Sequence, residues 1–137
     1  MSTETWFQGQ LRDLSREECL ELLASKSVGR IAYDGSDGPE VLPLNFVVQD
    51  GSVLFRTSPH SALGRRLRLD VAAFQVDEVD DYTQSGWSVL LRGPVEPVDA
   101  HDLPSADLRP TAWPAGHRSL HLRLQPRTIT GRRLLAG

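Results

Sequence analysis

The 137-residue chain is long enough for one hydrophobic core and short for two. Hydrophobic residues at 39% and charged residues at 24% exclude an intrinsically disordered chain. A net charge of −3 excludes a general nucleic-acid binder, which needs a basic excess to release counterions, yet a local arginine cluster can still hold a small anion.

Residues 1–13 read as a flexible lead-in, and Met1–Gln10 lacks the apolar stretch of a signal peptide. A helix is expected over about 15–25. Ser15 can cap it with Glu18 three residues on, and Leu14 and Cys19 are spaced as a hydrophobic staple. Cys19, Leu20, Leu22 and Leu23 form its apolar stripe. Cys19, the single cysteine, reads as a small buried hydrophobe with no disulfide or metal role.

Strand periodicity then takes over. Val28–Tyr33 and Glu40–Val48 flank a turn cluster, and Asp50-Gly51 marks a tight hairpin into Ser52–Thr57. The apolar run Val41–Val48 is strand-sized and interrupted by Pro43 and Asn45, so no membrane span is expected and the cytoplasm is the default location. Ser58-Pro59-His60-Ser61 breaks the pattern before a short basic helix at about 61–68. Val71–Val76 and Gly86–Val98 are strand-like, with Pro94 and Pro97 expected to kink the second or confine it to a sheet edge. Residues 99–116 read as an irregular loop with one helical turn. Leu120, Leu122 and Leu124 alternate with His121 and Arg123, and a short last strand falls at Thr128–Thr130. Some six short strands joined by hairpins, with two small helices and no βαβ alternation, predict a mainly β, antiparallel barrel over residues 14–137.

Familiar enzyme signatures are missing: no glycine-rich dinucleotide loop, no phosphate loop of the P-loop type and no serine nucleophile elbow. His117 and His121 stand four apart in a strand pattern, about 13 Å from each other, too far to share an ion. His60 and His101 fall in loops, and no metal site is expected. Asp77, Glu78, Asp80 and Asp81 lack the ligand ladder and central glycine of a calcium loop and read as a solvated acidic turn. Two segments are more informative. Phe55–Arg66 joins a strand ending in Arg56 and Thr57 to hydroxyls and a short helix bearing Arg65 and Arg66. That set can cradle a phosphate monoester or form a basic surface helix that touches only water. In Ser85–Gly93, Trp87 and Ser88 open a long strand beside Gly86; Trp87 can be core or the wall of a flat aromatic ligand.

The order SREECLELLASKSVGRIAY, VLPLNFVV, VLFRTSPHSAL, VAAFQVDEVD, SGWSVLLRG and ITGRR resembles the pyridoxamine 5′-phosphate oxidase-like family, in particular its small actinobacterial-type members, over about residues 14–133. The resemblance implies a six-stranded Greek-key split barrel that forms a homodimer, with FMN or a deazaflavin in clefts between subunits and a small-molecule substrate. It implies that Pro43, Leu44 and Asn45 face the isoalloxazine ring, and that Phe55, Arg56 and Thr57 contact ring and ribityl chain, partly through backbone. It implies further that Ser61, Ala62 and Leu63 lie at the phosphate, that Trp87 and Ser88 come from the other subunit, and that Arg132 lines the site. Many relatives carry lysine where this chain has Ala62, which removes a charge-assisted contact of about 1.5–3 kcal/mol unless Arg56, Arg65 or Arg66 compensates. The function so implied is a flavin- or deazaflavin-dependent oxidoreductase. Two alternatives stay open: a non-catalytic flavin- or haem-binding module, and a scaffold whose cofactor site has decayed. No catalytic residue is identified, since the redox chemistry belongs to the flavin.

Overall fold

The computed structural model describes residues 10–58, 61–66, 68–110 and 120–135; His60 and His117 lie outside them. The strands are β1 (Gln10–Asp13), β2 (Val28–Gly35), β3 (Gly38–Gln49), β4 (Ser52–Thr57), β5 (Leu69–Asp80), β6 (Ser85–Pro97), β7 (Leu120–Leu124) and β8 (Thr128–Leu135). The helices are α1 (Arg16–Ala24) and α2 (Ala62–Arg66), with two 3₁₀ turns at Ala100–Asp102 and Ala106–Leu108.

All pairings are antiparallel. Six strands close into a barrel in the order β2-β3-β4-β7-β6-β5, and β8 and then β1 extend the sheet outward from β6. The closure depends on β6. One of its edges follows β5, while the other pairs with β8 over Gly86–Arg92 and with β7 over Val95–Pro97. At the changeover, the turn linking β7 to β8 crosses Gly93, where an added Cβ would lie 1.9 Å from the Gln125 carbonyl oxygen. The Gln125 and Arg127 N–H groups bond to the Pro94 and Arg92 carbonyls there. Pro94 and Pro97 therefore do not place this strand at an edge; it is bonded on both sides, with Pro94 at the junction.

Local chemistry accounts for most element boundaries. Ser15 accepts from the Glu18 N–H and the Glu18 carboxylate accepts from the Ser15 N–H, a complete capping box. Leu14, Cys19 and Leu23 anchor α1 on the barrel, and burial pushes the Cys19 thiol upward. Asp50 and Gly51 both take positive φ, as a type I′ hairpin turn requires. Inside the barrel, Phe46 and Phe74 meet edge-to-face at 4.9 Å, with Ile31, Phe55, Val89, Leu91, Leu122 and Leu124 around them.

Three boundaries differ from expectation. Gln10–Asp13, expected in the flexible lead-in, is a strand paired with Arg132–Leu135; its polar sequence is recruited by the β8 edge. Asp77, Glu78 and Asp80 belong to β5 rather than to an acidic turn, because Ser85–Ser88 pair with them. β8 runs on to Leu135, five residues beyond the expected stop at Thr130.

Replacing Gly93 with alanine drives a methyl into the Gln125 carbonyl. This variant is expected to lose about 2 kcal/mol in urea unfolding, read as a lowered midpoint with an unchanged slope.

Candidate functional site

Directly paired residues share a sheet face, and neighbours along a strand point to opposite faces. The registers therefore sort the expected site residues. Pro43, Arg30, Gln75, Leu90 and Thr130 form one rung across five strands, and Val41, Ala32, Ala73, Arg92 and Thr128 form the next. Two residues further along, Asn45 pairs with Val28, while Ser88 lies between Asp77 and Arg132. All three rungs lie on the outer face, since the residues between them, including Ile31, Phe74 and Leu91, fill the barrel.

Pro43, Asn45, Ser88 and Arg132 thus share one face, in two groups separated by β2 and β5. Three sheet spacings, about 14 Å, lie between β3 and β6. The face mixes apolar and polar residues: Val28 is 47% and Val41 59% exposed, beside Leu90, Ala32, Ala73 and Pro43, with Arg30, Gln75, Asp77 and Arg92 on the same rungs.

Leu44, Phe55 and Leu63 point the other way and are buried in the core, so only their backbone can meet a ligand. Ser61 organises the turn before α2. Its hydroxyl lies 2.9 Å from Thr57 Oγ1, donates to the Ser58 carbonyl at 2.7 Å and accepts from the Gly64 N–H at 2.9 Å. The turn is wound tightly; a Cβ at Gly64 would lie 2.0 Å from the Ser58 carbonyl oxygen. Ala62 is exposed. Arg66 is directed at β2, where Nη1 donates to the Asp34 carbonyl at 2.7 Å. Arg56 pairs in register with His121 on β7.

Trp87 and Ser88 face opposite ways. Ser88 and Arg132, with Leu11, Val79, Gly86, Trp87 and Leu134, line a cavity of about 200 Å³. Trp87 lies on the inner side of the ribbon that β5, β6 and β8 extend past the barrel, in a larger cavity of about 680 Å³ beside Glu78, Asp80 and Arg133. Lys26 Nζ donates to Glu78 Oε1 at 2.8 Å, and Lys26 together with the Trp87 indole N–H holds the Glu78 carboxyl below the usual carboxylate range against the opposing effect of desolvation. Glu78 and Arg133 were not expected here. The alternation signal identifies them, because each pairs in register with Trp87.

Among the described residues, Asp99, His101 and Asp102 bring one potential ligand atom each within 4.8 Å of the others, and all three are exposed. No described helix is long and apolar enough to cross a membrane.

A family model described as pyridoxamine 5′-phosphate oxidase matches residues 15–133. The chain belongs to the pyridoxamine 5′-phosphate oxidase-like family. An FAD-binding protein from Mycobacterium smegmatis is similar at 32% identity, with 90% of this chain and 98% of that one covered and a TM-score of 0.70. A candidate pyridoxamine 5′-phosphate oxidase from Corynebacterium glutamicum, also at 32% identity, covers 93% of this chain and 95% of its own at a TM-score of 0.78. An uncharacterized Mycobacterium tuberculosis protein is 28% identical over 90% of this chain and 86% of its own. Within this pyridoxamine 5′-phosphate oxidase-like barrel, Thr57 at the end of β4 has its hydroxyl linked to that of Ser61, beside the short helix α2, which begins with Ala62 and not a lysine.

The depressed Glu78 pKa predicts a pH signature at Trp87. A carboxylate favoured by the folded state keeps its contacts above its unfolded pKa and loses them as pH falls through the folded one. The Trp87 indole N–H resonance should therefore titrate in NMR with a midpoint below that of an ordinary glutamate, and Glu78→Gln should abolish that titration.

Proposed function

We propose that this chain binds a flavin between two copies of itself and uses it in a redox reaction on a small molecule. The separation of two groups on one outer face, Pro43 and Asn45 against Ser88 and Arg132, is the observation that carries this reading. A two-fold contact between such faces sets the β3 group of one copy opposite the β6–β8 group of its partner. On those rungs Val28, Val41 and Leu90 give that contact apolar surface to bury.

The residues suit a flavin. A flat ring needs an apolar wall and donors at its polar edge, and Pro43, Asn45 and Ser88 provide both kinds of group. Thr57 and Ser61 supply hydroxyls for the sugar-phosphate end. A bound flavin contributes hydride or electron transfer, and the chain binds it, orients it and excludes water.

FMN is the simplest occupant. A dinucleotide flavin is a second reading, favoured by Ala62, which leaves the monophosphate one cation short, and by the FAD-binding description of the Mycobacterium smegmatis relative at 32% identity. Deazaflavin and haem are further occupants distinguishable by spectrum.

The purified chain should carry flavin absorbance, and chromatography of the extracted cofactor identifies its form. Val28→Asp with Val41→Asp should give a folded monomer by sedimentation and lose the flavin. A monomer that retains flavin contradicts the proposal. Ala62→Lys should tighten FMN about tenfold, the effect of one charge-assisted contact.

A further inference from the structure

The two residue groups of the proposed flavin site stand on the two lips of a split in the sheet. β2 and β5 pair from Ala32–Ala73 to Arg30–Gln75 and then part. On one lip, Val28 and Gly29 pair with β3 alone, and Asn45 is the partner of Val28. On the other, Val76 to Asp80 pair with β6 alone, in the ribbon that holds Ser88 and Arg132. Among the described residues, no strand pairing joins the lips.

A side-chain bond does. Lys26 Nζ donates to Glu78 Oε1 at 2.8 Å. Both ends are firmly mounted. The Lys26 N–H bonds to the carbonyl of Leu23, a buried anchor of α1, and the Ser27 carbonyl accepts from the Phe46 N–H beside Asn45. Glu78 is held on β5 opposite the buried Trp87. A second ion pair, Arg12 with Glu18 at 3.3 Å, fastens the far edge of the ribbon to the first turn of α1.

The Lys26–Glu78 pair lies behind the face that carries Ser88 and Arg132, so it can act on a ligand there only through the ribbon. Its side chains are 31% and 65% exposed, and such a pair adds little to global stability. Its leverage is geometric. Glu78 stands three residues past the last β2–β5 pair, about 10 Å, and beside Asp77, the partner of Ser88.

We infer that the Lys26–Glu78 pair is a strut that fixes the opening of the split and thereby positions Ser88 and Arg132 for the flavin. This role rests on the flavin reading above. In a two-fold pair of copies each flavin lies between one copy's Asn45 lip and its partner's ribbon, so the opening of each split sets how Ser88 meets the ring.

The test compares Lys26→Met, Glu78→Gln and the double variant in the full chain, with FMN and FAD each titrated as the probe. Tm should barely change, since the pair is exposed. Each single substitution should weaken flavin binding about fivefold, the upper range for an exposed ion pair. The double variant should also lose about fivefold, because either change removes the same strut. The visible circular dichroism of the bound flavin should change alike in all three. In flavin-free protein, amide relaxation dispersion should rise at Val79–Gly86 in every variant. Multiplied losses of about twenty-fivefold in the double variant, wild-type affinity in either single variant, or unchanged flavin dichroism would each overturn the strut. A wild-type chain that takes up neither flavin removes the flavin reading and this role together, whereas flavin held equally by wild type and variants removes the strut alone.

Discussion

Gly93 and Pro94 occupy the point where one edge of β6 passes from β8 to β7. A strand has only two edges, so a third partner is possible only if one edge is divided along its length. Glycine lets the crossing turn approach, and proline removes an N–H at the division. Upstream of this point β6 belongs to an open sheet with β8 and β1; downstream it closes the barrel through β7. The outer face bearing Ser88 and Arg132 exists because the upstream half remains open.

Strand alternation then decides which side chains can meet a ligand. Phe55 and Leu63 read attractively in a phosphate-binding segment, yet their side chains are core. Ser88 and Trp87 are neighbours in sequence with side chains on opposite faces, although Trp87 borders both cavities. Arg132 and Arg133 divide in the same way, one toward each cavity. Ser61 shows another limit on site chemistry: its hydroxyl already links Thr57, Ser58 and Gly64, so it shapes the turn as much as it offers a donor.

Much of this was legible in the residues. The capping box at Ser15, the type I′ turn at Asp50-Gly51 and the alternating Leu120–Leu124 are local signals, and each marks its element because the physics is local. Gln10–Asp13 and the acidic end of β5 were not legible as strands, since their partners supply the reason for pairing. The sorting of Ser88 from Trp87 needs only period-two alternation, but their relation to Asn45 needs the cross-strand registers.

Barrel closure also has a kinetic side. β4 pairs with β7, joining Val53 to Leu124 across more than half of the chain. Long loops raise the entropy cost of such a contact and slow its formation. During synthesis the hairpins β2–β3 and β3–β4 can form early, while Phe55 has no Leu122 to cover it until β7 has emerged. The nascent chain therefore carries an open, half-built sheet with exposed aromatic rings, a stage at which a chaperone or a second copy meets an unprotected edge.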